Sequence, residues 1–294
     1  MNKIVKLASL AAFVSGVGIF GNGCILSDCE DEDGNKIDNC IQAETPTKYV
    51  KDPVTTSLTY AAGYDLVVDG VNGHIKVARH SGADVKVTFE AFTLGGKSDE
   101  DAAKAKEELD NDLILTTDDN GRIFVQTDRD GGSSGLGADI TILLPSAFDG
   151  HVAIDQNNGF VDVDLGGMSP LSVTIHNDGA GDIDVVGARG KLDLVGKFDI
   201  DVSVASWASD NGRVETTGGT GDIVIAVPSG ANGSIQATAS DDGEVVVSSP
   251  PADWVVDEAA VNSKTVSFGD FSGAVVQVKT DPTGLGSVTI KPGG

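Results

Sequence analysis

The chain has 294 residues, with 45 Asp and Glu against 20 Lys and Arg, a formal charge of -25. That balance excludes nucleic acid as a partner, since phosphates are held through Lys and Arg, and excludes adsorption of the folded surface on anionic lipid. Glycine is abundant, at 38 residues, and aromatics make up 5%, as expected where turns recur and thin layers are filled by Val, Ile and Leu.

The first residues read as a targeting segment. Lys3 and Lys6 form a basic start. Leu7 to Phe20 form an apolar stretch of about 14 residues, too short to span a bilayer comfortably. Gly21-Asn22-Gly23 then precede Cys24. The pattern resembles a bacterial lipoprotein signal, although Gly21 stands where that family prefers leucine. The resemblance implies that residues 1–23 are removed and that Cys24 is acylated. It also implies a protein tethered to the bacterial cell envelope by lipid. With Ile25 after the cysteine, the lipid would lie in the outer membrane of a Gram-negative cell.

Residues 24–53 are polar and acidic, the composition of a tether. Three cysteines occur, Cys24, Cys29 and Cys40. With Cys24 lipidated, Cys29 and Cys40 are left to pair in an oxidising compartment. Asp31, Asp33, Gly34 and Asn35 have part of the spacing of a calcium loop. Cysteines occupy its first and twelfth positions, so the bidentate acid is missing.

The folded domain is expected over 54–294. Leu66 to Val68, Ile75 to Val77 and Val85 to Phe89 alternate as strands do. The period then changes. Ser98 is a good N-cap, and Asp99, Glu100 and Asp101 suit a helix N-terminus, so the sequence predicts one helix near 98–110. Strands resume at Leu113 and run to Pro292, with a Gly- and Ser-rich loop from Asp128 to Gly137.

Within this domain one unit keeps returning: a glycine with apolar residues two and four positions later. Examples are Gly159-Phe-Val161-Asp-Val163, Gly181-Asp-Ile183-Asp-Val185, Gly221-Asp-Ile223-Val-Ile225 and Gly286-Ser-Val288-Thr-Ile290. Two interleaved series stand out, Gly159, Gly181, Gly221, Gly243 and Gly150, Gly190, Gly212, Gly233. Intervals of 21 or 22 residues mix with intervals of 40, and each long interval holds a further strand pattern, at Leu171 to Ile175 and Phe198 to Val202. The spacing favours an all-β repetitive solenoid, or β-helix, with two strands per rung of about 20–22 residues. The alternative is an antiparallel β-sandwich, which also shows short strands at regular intervals.

Leu66-Val-Val-Asp-Gly-Val-Asn-Gly-His-Ile-Lys-Val77, the acidic helix followed by Asp118-Asp-Asn-Gly-Arg-Ile123, Ile140-Thr-Ile-Leu-Leu-Pro145 and the Gly-Asp-Ile repeats together resemble the bacterial putative-adhesin family of unknown function. The likeness covers roughly residues 58–292. It implies a repetitive β-helix-like domain, often exported or anchored at the envelope, with no agreed activity and no catalytic residues to carry over.

The chemistry-bearing residues follow from parity. If Val161, Val163, Ile183, Val185, Ile200 and Val202 point inward, Asp162, Asp164, Asp182, Asp184, Asp199 and Asp201 must point out. In a stack of coils about 4.8 Å apart they would line one face. Two readings stand: a charged face that keeps the protein soluble, which is preferred, and a row holding Ca²⁺ or Mg²⁺ through oxygen ligands. No other cofactor is implied. His74, His80, His151 and His176 form no metal motif, and Gly218-Gly-Thr-Gly221-Asp222 places its acid one residue early for a calcium-binding nonapeptide. The functional expectation is a non-enzymatic, adhesin-like structural or binding module meeting envelope glycan or protein. A polysaccharide-active β-helix enzyme is the alternative, because paired carboxylates hydrolyse glycosides. Replacing Cys24 by Ser is expected to leave soluble or unprocessed protein; mass spectrometry of the wild type without a lipid adduct would refute the anchor.

Overall fold

The computed structural model describes residues 46–130, 135–207, 211–218, 220–270 and 273–293. Cys24, Cys29, Cys40 and the signal segment lie outside the described residues, as does part of the loop after Asp128.

The chain opens with β1 (Thr47–Val50), β2 (Val54–Leu58), β3 (Leu66–Gly70), β4 (Ile75–His80) and the long β5 (Val85–Gly95). Helix α1 (Asp99–Asn111) follows, then β6 (Leu113–Asp118), β7 (Ile123–Arg129) and β8 (Gly137–Pro145). The middle comprises β9 (His151–Gln156), β10 (Val161–Asp164), β11 (Ser172–Asn177), β12 (Ile183–Ala188), β13 (Lys191–Gly196), β14 (Ile200–Val204), β15 (Gly212–Thr216) and β16 (Ile223–Val227). The last part holds β17 (Gly233–Thr238), β18 (Val245–Val247), β19 (Val255–Ala260), β20 (Ser263–Phe268), β21 (Val275–Lys279) and β22 (Val288–Pro292).

Among the described residues the fold is all-β with one helix: two sheets of 11 strands each over one shared core. Sheet 1 runs β1-β5-β8-β4-β10-β12-β14-β16-β22-β18, with β2 also on β5; sheet 2 runs β19-β20-β17-β21-β15-β13-β11-β9-β3-β7-β6. The two layers match the sandwich alternative, but the ladders in the middle are parallel. From β8 to β18 the chain alternates between the sheets, and two consecutive strands, one in each sheet, are a coil. Antiparallel pairing is confined to the two ends, at β1, β2, β5 and β8 and at β6 and β7 on one side, and at β17, β19 and β20 on the other.

Parity explains the layer. Val161, Ile183, Ile200, Ile223, Val288 and Val245 lie side by side across sheet 1, and none is more than 1% exposed. Each such side chain contributes roughly 1.5–3 kcal/mol by leaving water. Val152, Val173 and Leu192 form the matching row in sheet 2.

The repeated glycine has a steric cause. At Gly159, Gly181, Gly286 and Gly243 an added Cβ would collide with the carbonyl oxygen of Gly73, Gly159, Gly221 and Gly286 respectively. The glycines therefore form a column in which each coil presses its backbone on the previous one.

Helix α1 begins as its sequence predicts. Ser98 caps it, its hydroxyl accepting the Asp101 N–H at 3.1 Å while the Asp101 carboxylate accepts the Ser98 N–H at 3.0 Å. Its apolar side buries Ala105 and Leu109, and Leu109 clusters with Ala91, Leu136 and Tyr49 over the far half of β5. Among the described residues no helix is long and apolar enough to cross a membrane.

Two expectations are corrected. Strand pairing starts before Val54, because β1 is bonded to β5 from Thr47↔Gly95 to Val50↔Phe92. Coil order also departs from sequence order. The coil β21–β22 lies between β15–β16 and β17–β18. Likewise β3–β4 lies between β7–β8 and β9–β10. The interval from Gly221 to Gly243 therefore spans an inserted neighbour, which regular spacing alone cannot reveal.

Gly181→Ala is expected to cost at least about 3 kcal/mol, since φ is +128° and a Cβ meets backbone. Gly121→Ala, at φ +77° with open space around it, should cost only about 1–2 kcal/mol. Equal losses on urea denaturation would contradict the column.

Candidate functional site

The six aspartates all lie on the outer side of sheet 1, with Val161, Val163, Ile183, Val185, Ile200 and Val202 buried beneath them. They do not form one row. Asp162, Asp184 and Asp201 are direct neighbours across β10, β12 and β14. This row is flanked by Lys76 on β4 and Val224 on β16. Asp164 belongs to the next row, opposite Val186.

Asp182 and Asp199 stand one position before their strands, and there the carboxylate has a structural task. Asp182 Oδ1 accepts the Asp199 N–H at 3.3 Å, and Asp199 Oδ1 accepts the Asp222 N–H at 2.8 Å. Asp222 Oδ1 accepts the Ser287 N–H at 2.6 Å, and Ser287 Oγ accepts the Glu244 N–H at 3.3 Å. At the other end Asp139 Oδ1 accepts the His74 N–H at 2.8 Å. Each side chain thus satisfies a main-chain donor of the next coil, as a cap does at a helix start. The Gly-Asp-Ile repeat is a glycine for close approach, an acid for this bond and an apolar residue for the core.

Crowding shows in the acid–base properties. Burial raises the pKa of Asp182, and Asp199, Asp201 and Asp162 push it further, against the opposing hydrogen bond from Asp199. Burial and then the charges of Asp162 and Asp201 raise that of Asp184. Asp201 is raised by burial, with Lys291 offsetting part and Asp199 adding to it. His74 Nε2 lies 2.9 Å from Asp162 Oδ2 and adds a partner at the row's end. Among the described residues no three His, Cys, Asp or Glu converge as a metal site requires. The pleat spreads the acids along and across the sheet, so they point outward side by side instead of toward a common centre.

The outer side of sheet 2 is of mixed charge. Arg213 bonds Asp193 at 2.8 Å and lies 3.8 Å from Glu215. His176 is 3.5 Å from Asp155, and Gln277 donates to Gln236 at 2.6 Å. His151 Nδ1 lies 2.6 Å from Ser172 Oγ. A histidine beside a serine invites a nucleophile reading. Here both sit on neighbouring strands of an open sheet, at paired positions, and join two coils as Arg213 and Asp193 do.

A second ladder, at the end of the sheet 2 strands, is buried and was not foreseen. Asn177 Nδ2 donates to the carbonyls of Gly159 and Gly181 at 2.7 and 3.0 Å. Gln156 donates to those of Gly73 and Asn158, both at 2.7 Å. Thr216 donates to Gly221, while Thr280 and Ser240 both donate to Gly286. The signal was available: β9, β11 and β15 each end in Gln, Asn or Thr.

No protein-family model matches the chain, and no curated protein matches it. Solved structures similar to it are putative adhesins and cell adhesion proteins. One is a putative cell adhesion protein from Clostridium sporogenes, with 14% identity, covering 84% of this chain and 100% of that one at a TM-score of 0.47. Another is a putative adhesin from Bacteroides fragilis, with 13% identity over 82% and 97% of the two chains and a TM-score of 0.36.

The raised carboxylates set a sign for pH dependence. A carboxylate whose folded pKa exceeds its unfolded value destabilises the fold while ionised; the penalty fades as pH falls through the folded pKa and is gone below about 3.9. Asp101, Asp149 and Asp281, held low by hydrogen bonds from Ser98, Tyr60 and Thr283, act in the opposite sense, and their support is lost as pH falls through their own depressed values. Thermal stability should therefore rise from pH 7 toward mild acid and fall in stronger acid. Asp184→Asn with Asp201→Asn should flatten the rise and add about 0.5–1 kcal/mol at pH 7 after solvent screening. An unchanged pH profile in calorimetry would refute the crowding.

Proposed function

We propose that the chain is an adhesin-like binding module of the bacterial cell envelope, held by lipid on Cys24, and that its middle is a flattened β-solenoid. The observation that supports this is the register. Outward positions of β4, β10, β12, β14, β16, β22 and β18 fall into continuous rows, so they form one unbroken face with three adjacent acids, Asp162, Asp184 and Asp201, between Lys76 and Val224. Such faces suit extended partners, whose own repeats can meet several coils at once. On sheet 1 the face is acidic and edged by Phe160, which is 39% exposed and packs edge-on to His74. Acids beside an exposed ring suit an envelope glycan or a basic protein surface. Pairing of Cys29 with Cys40 would brace the tether near the anchor.

A second reading has one observation in its favour. Asp162, Asp184 and Asp201 are neighbouring carboxylates, two of them with raised pKa, the pairing that glycoside hydrolysis uses. The binding reading is preferred because these acids stand on an open sheet face.

Both readings meet one experiment. Purified protein is screened against immobilised envelope glycans and basic proteins, and assayed for release of reducing ends from the glycans. The binding module retains a glycan without cleaving it, and Asp162→Asn/Asp184→Asn/Asp201→Asn weakens retention several-fold, the scale of about 0.2–1 kcal/mol per exposed charge. Cleavage abolished by the same substitutions would replace the module by an enzyme; no retention of any glycan or basic protein would remove both.

A further inference from the structure

The coil β21–β22 stands out of sequence order in the stack. In the structure it separates β15–β16 from β17–β18, and both of its strands are bonded on both sides. Its core side chains Val276, Val278, Val288 and Ile290 are at most 1% exposed. If the coil leaves, the coils on either side can close on each other without any slip of register. Val288 lies opposite both Ile223 and Val245, and Ile290 opposite both Ile225 and Val247. In sheet 2, Val276 lies opposite Gly212 and Ile235, and Val278 opposite Val214 and Ala237. Closure therefore keeps every inward residue inward, which a shift by one residue would not.

The corner details also transfer. A Cβ at Gly286 would strike the Gly221 carbonyl, and one at Gly243 would strike the Gly286 carbonyl. With the coil gone, glycine again meets glycine, Gly243 on Gly221. Asp222 Oδ1, which accepts the Ser287 N–H, would meet the Glu244 N–H that Ser287 now satisfies. The sequence-order stack, with Gly243 one regular interval after Gly221, would thus be a second packing of the same chain. Inserting the coil adds burial but orders its residues, and the two effects oppose each other.

We propose that β21–β22 is a releasable coil, and that a second copy of this chain takes it up in the equivalent slot. A released coil carries two Val- and Ile-bearing strands with unpaired edges. The slot whose register fits them on both sides exists in every copy. Reciprocal insertion leaves no open slot and gives a closed two-fold dimer, with the contacts of the monomer supplied across chains. Trp207 latches the coil at home: its indole N–H donates to the Ala274 carbonyl at 3.1 Å, and its ring packs edge-on against Phe268 with centroids 4.6 Å apart.

The row Arg213, Gln277, Gln236 supplies the test, since these exposed residues are side by side on β15, β21 and β17. With the coil inserted, 213 and 236 are two strand spacings apart, about 9–10 Å, beyond disulfide reach. Full-length Arg213→Cys/Gln236→Cys is incubated in a mild oxidising buffer, with Arg213→Cys/Gln277→Cys as the control that reports the inserted coil. Accumulation of the 213–236 disulfide over hours is expected, and faster with Trp207→Phe added. For exchange, isotopically labelled Arg213→Cys is mixed with unlabelled Gln277→Cys, and peptides joined between labelled and unlabelled chains are sought by mass spectrometry in the dimer fraction. A control that closes while 213–236 never forms would overturn release. Formation of 213–236 with no mixed-isotope 213–277 peptide would overturn uptake by a second copy.

Discussion

The contact on which the rest depends is backbone against backbone at the sheet 1 corner. Gly159, Gly181, Gly286 and Gly243 each leave no room for a Cβ beside the carbonyl of the coil before. That approach holds consecutive coils at strand spacing, and strand spacing brings Val161, Ile183, Ile200, Ile223, Val288 and Val245 into one dry row. A bulkier residue would separate the coils and open the core along its length. Phe198 takes the equivalent place in one coil, and there the following Gly221 is the residue that must lack a side chain.

Close stacking creates an obligation as well. Turns between coils leave main-chain donors and acceptors that no ladder satisfies, and buried ones are costly. The molecule answers with two side-chain ladders. Asp139, Asp182, Asp199, Asp222 and Ser287 accept N–H groups at the solvent side of one corner. Gln156, Asn177, Thr216, Thr280 and Ser240 donate to carbonyls in the interior. The first ladder places carboxylates on neighbouring coils, so their crowding follows from their use as acceptors. Acids in this row are therefore poor pointers to a ligand, whereas Asp162, Asp184 and Asp201 accept no such main-chain N–H.

Much of this was legible in the sequence. Alternation after each glycine located the strands and their inward residues, because burial demands parity and parity is local. Ser98 and the acids after it located the helix for the same reason. Pairing order was not legible. Gly286-Ser-Val288-Thr-Ile290 has the same pattern as its neighbours, so nothing local says that it lies between β16 and β18. The strand at Thr47–Val50 was hidden by the polar composition of its surroundings; it is held by pairing with β5, an edge whose need for a partner no short window contains. The six aspartates were placed on the right side but merged into one row, since parity tells inside from outside and says nothing of position along the strand.

The clamping of β3–β4 between two coils bears on how the molecule would carry a load. Tension entering from the N-terminal side reaches β1 and β2 first, and these pair with β5 as their one strand neighbour among the described residues. They can be unzipped one bond at a time. The next strands cannot: β3 is bonded to β7 and β9, and β4 to β8 and β10. Pulling them out means sliding each strand against two neighbours at once, with many hydrogen bonds and the buried Leu66, Val68, Ile75 and Val77 resisting together. The first strands yield as a short extensible lead, and the coil behind them is the mechanical stop.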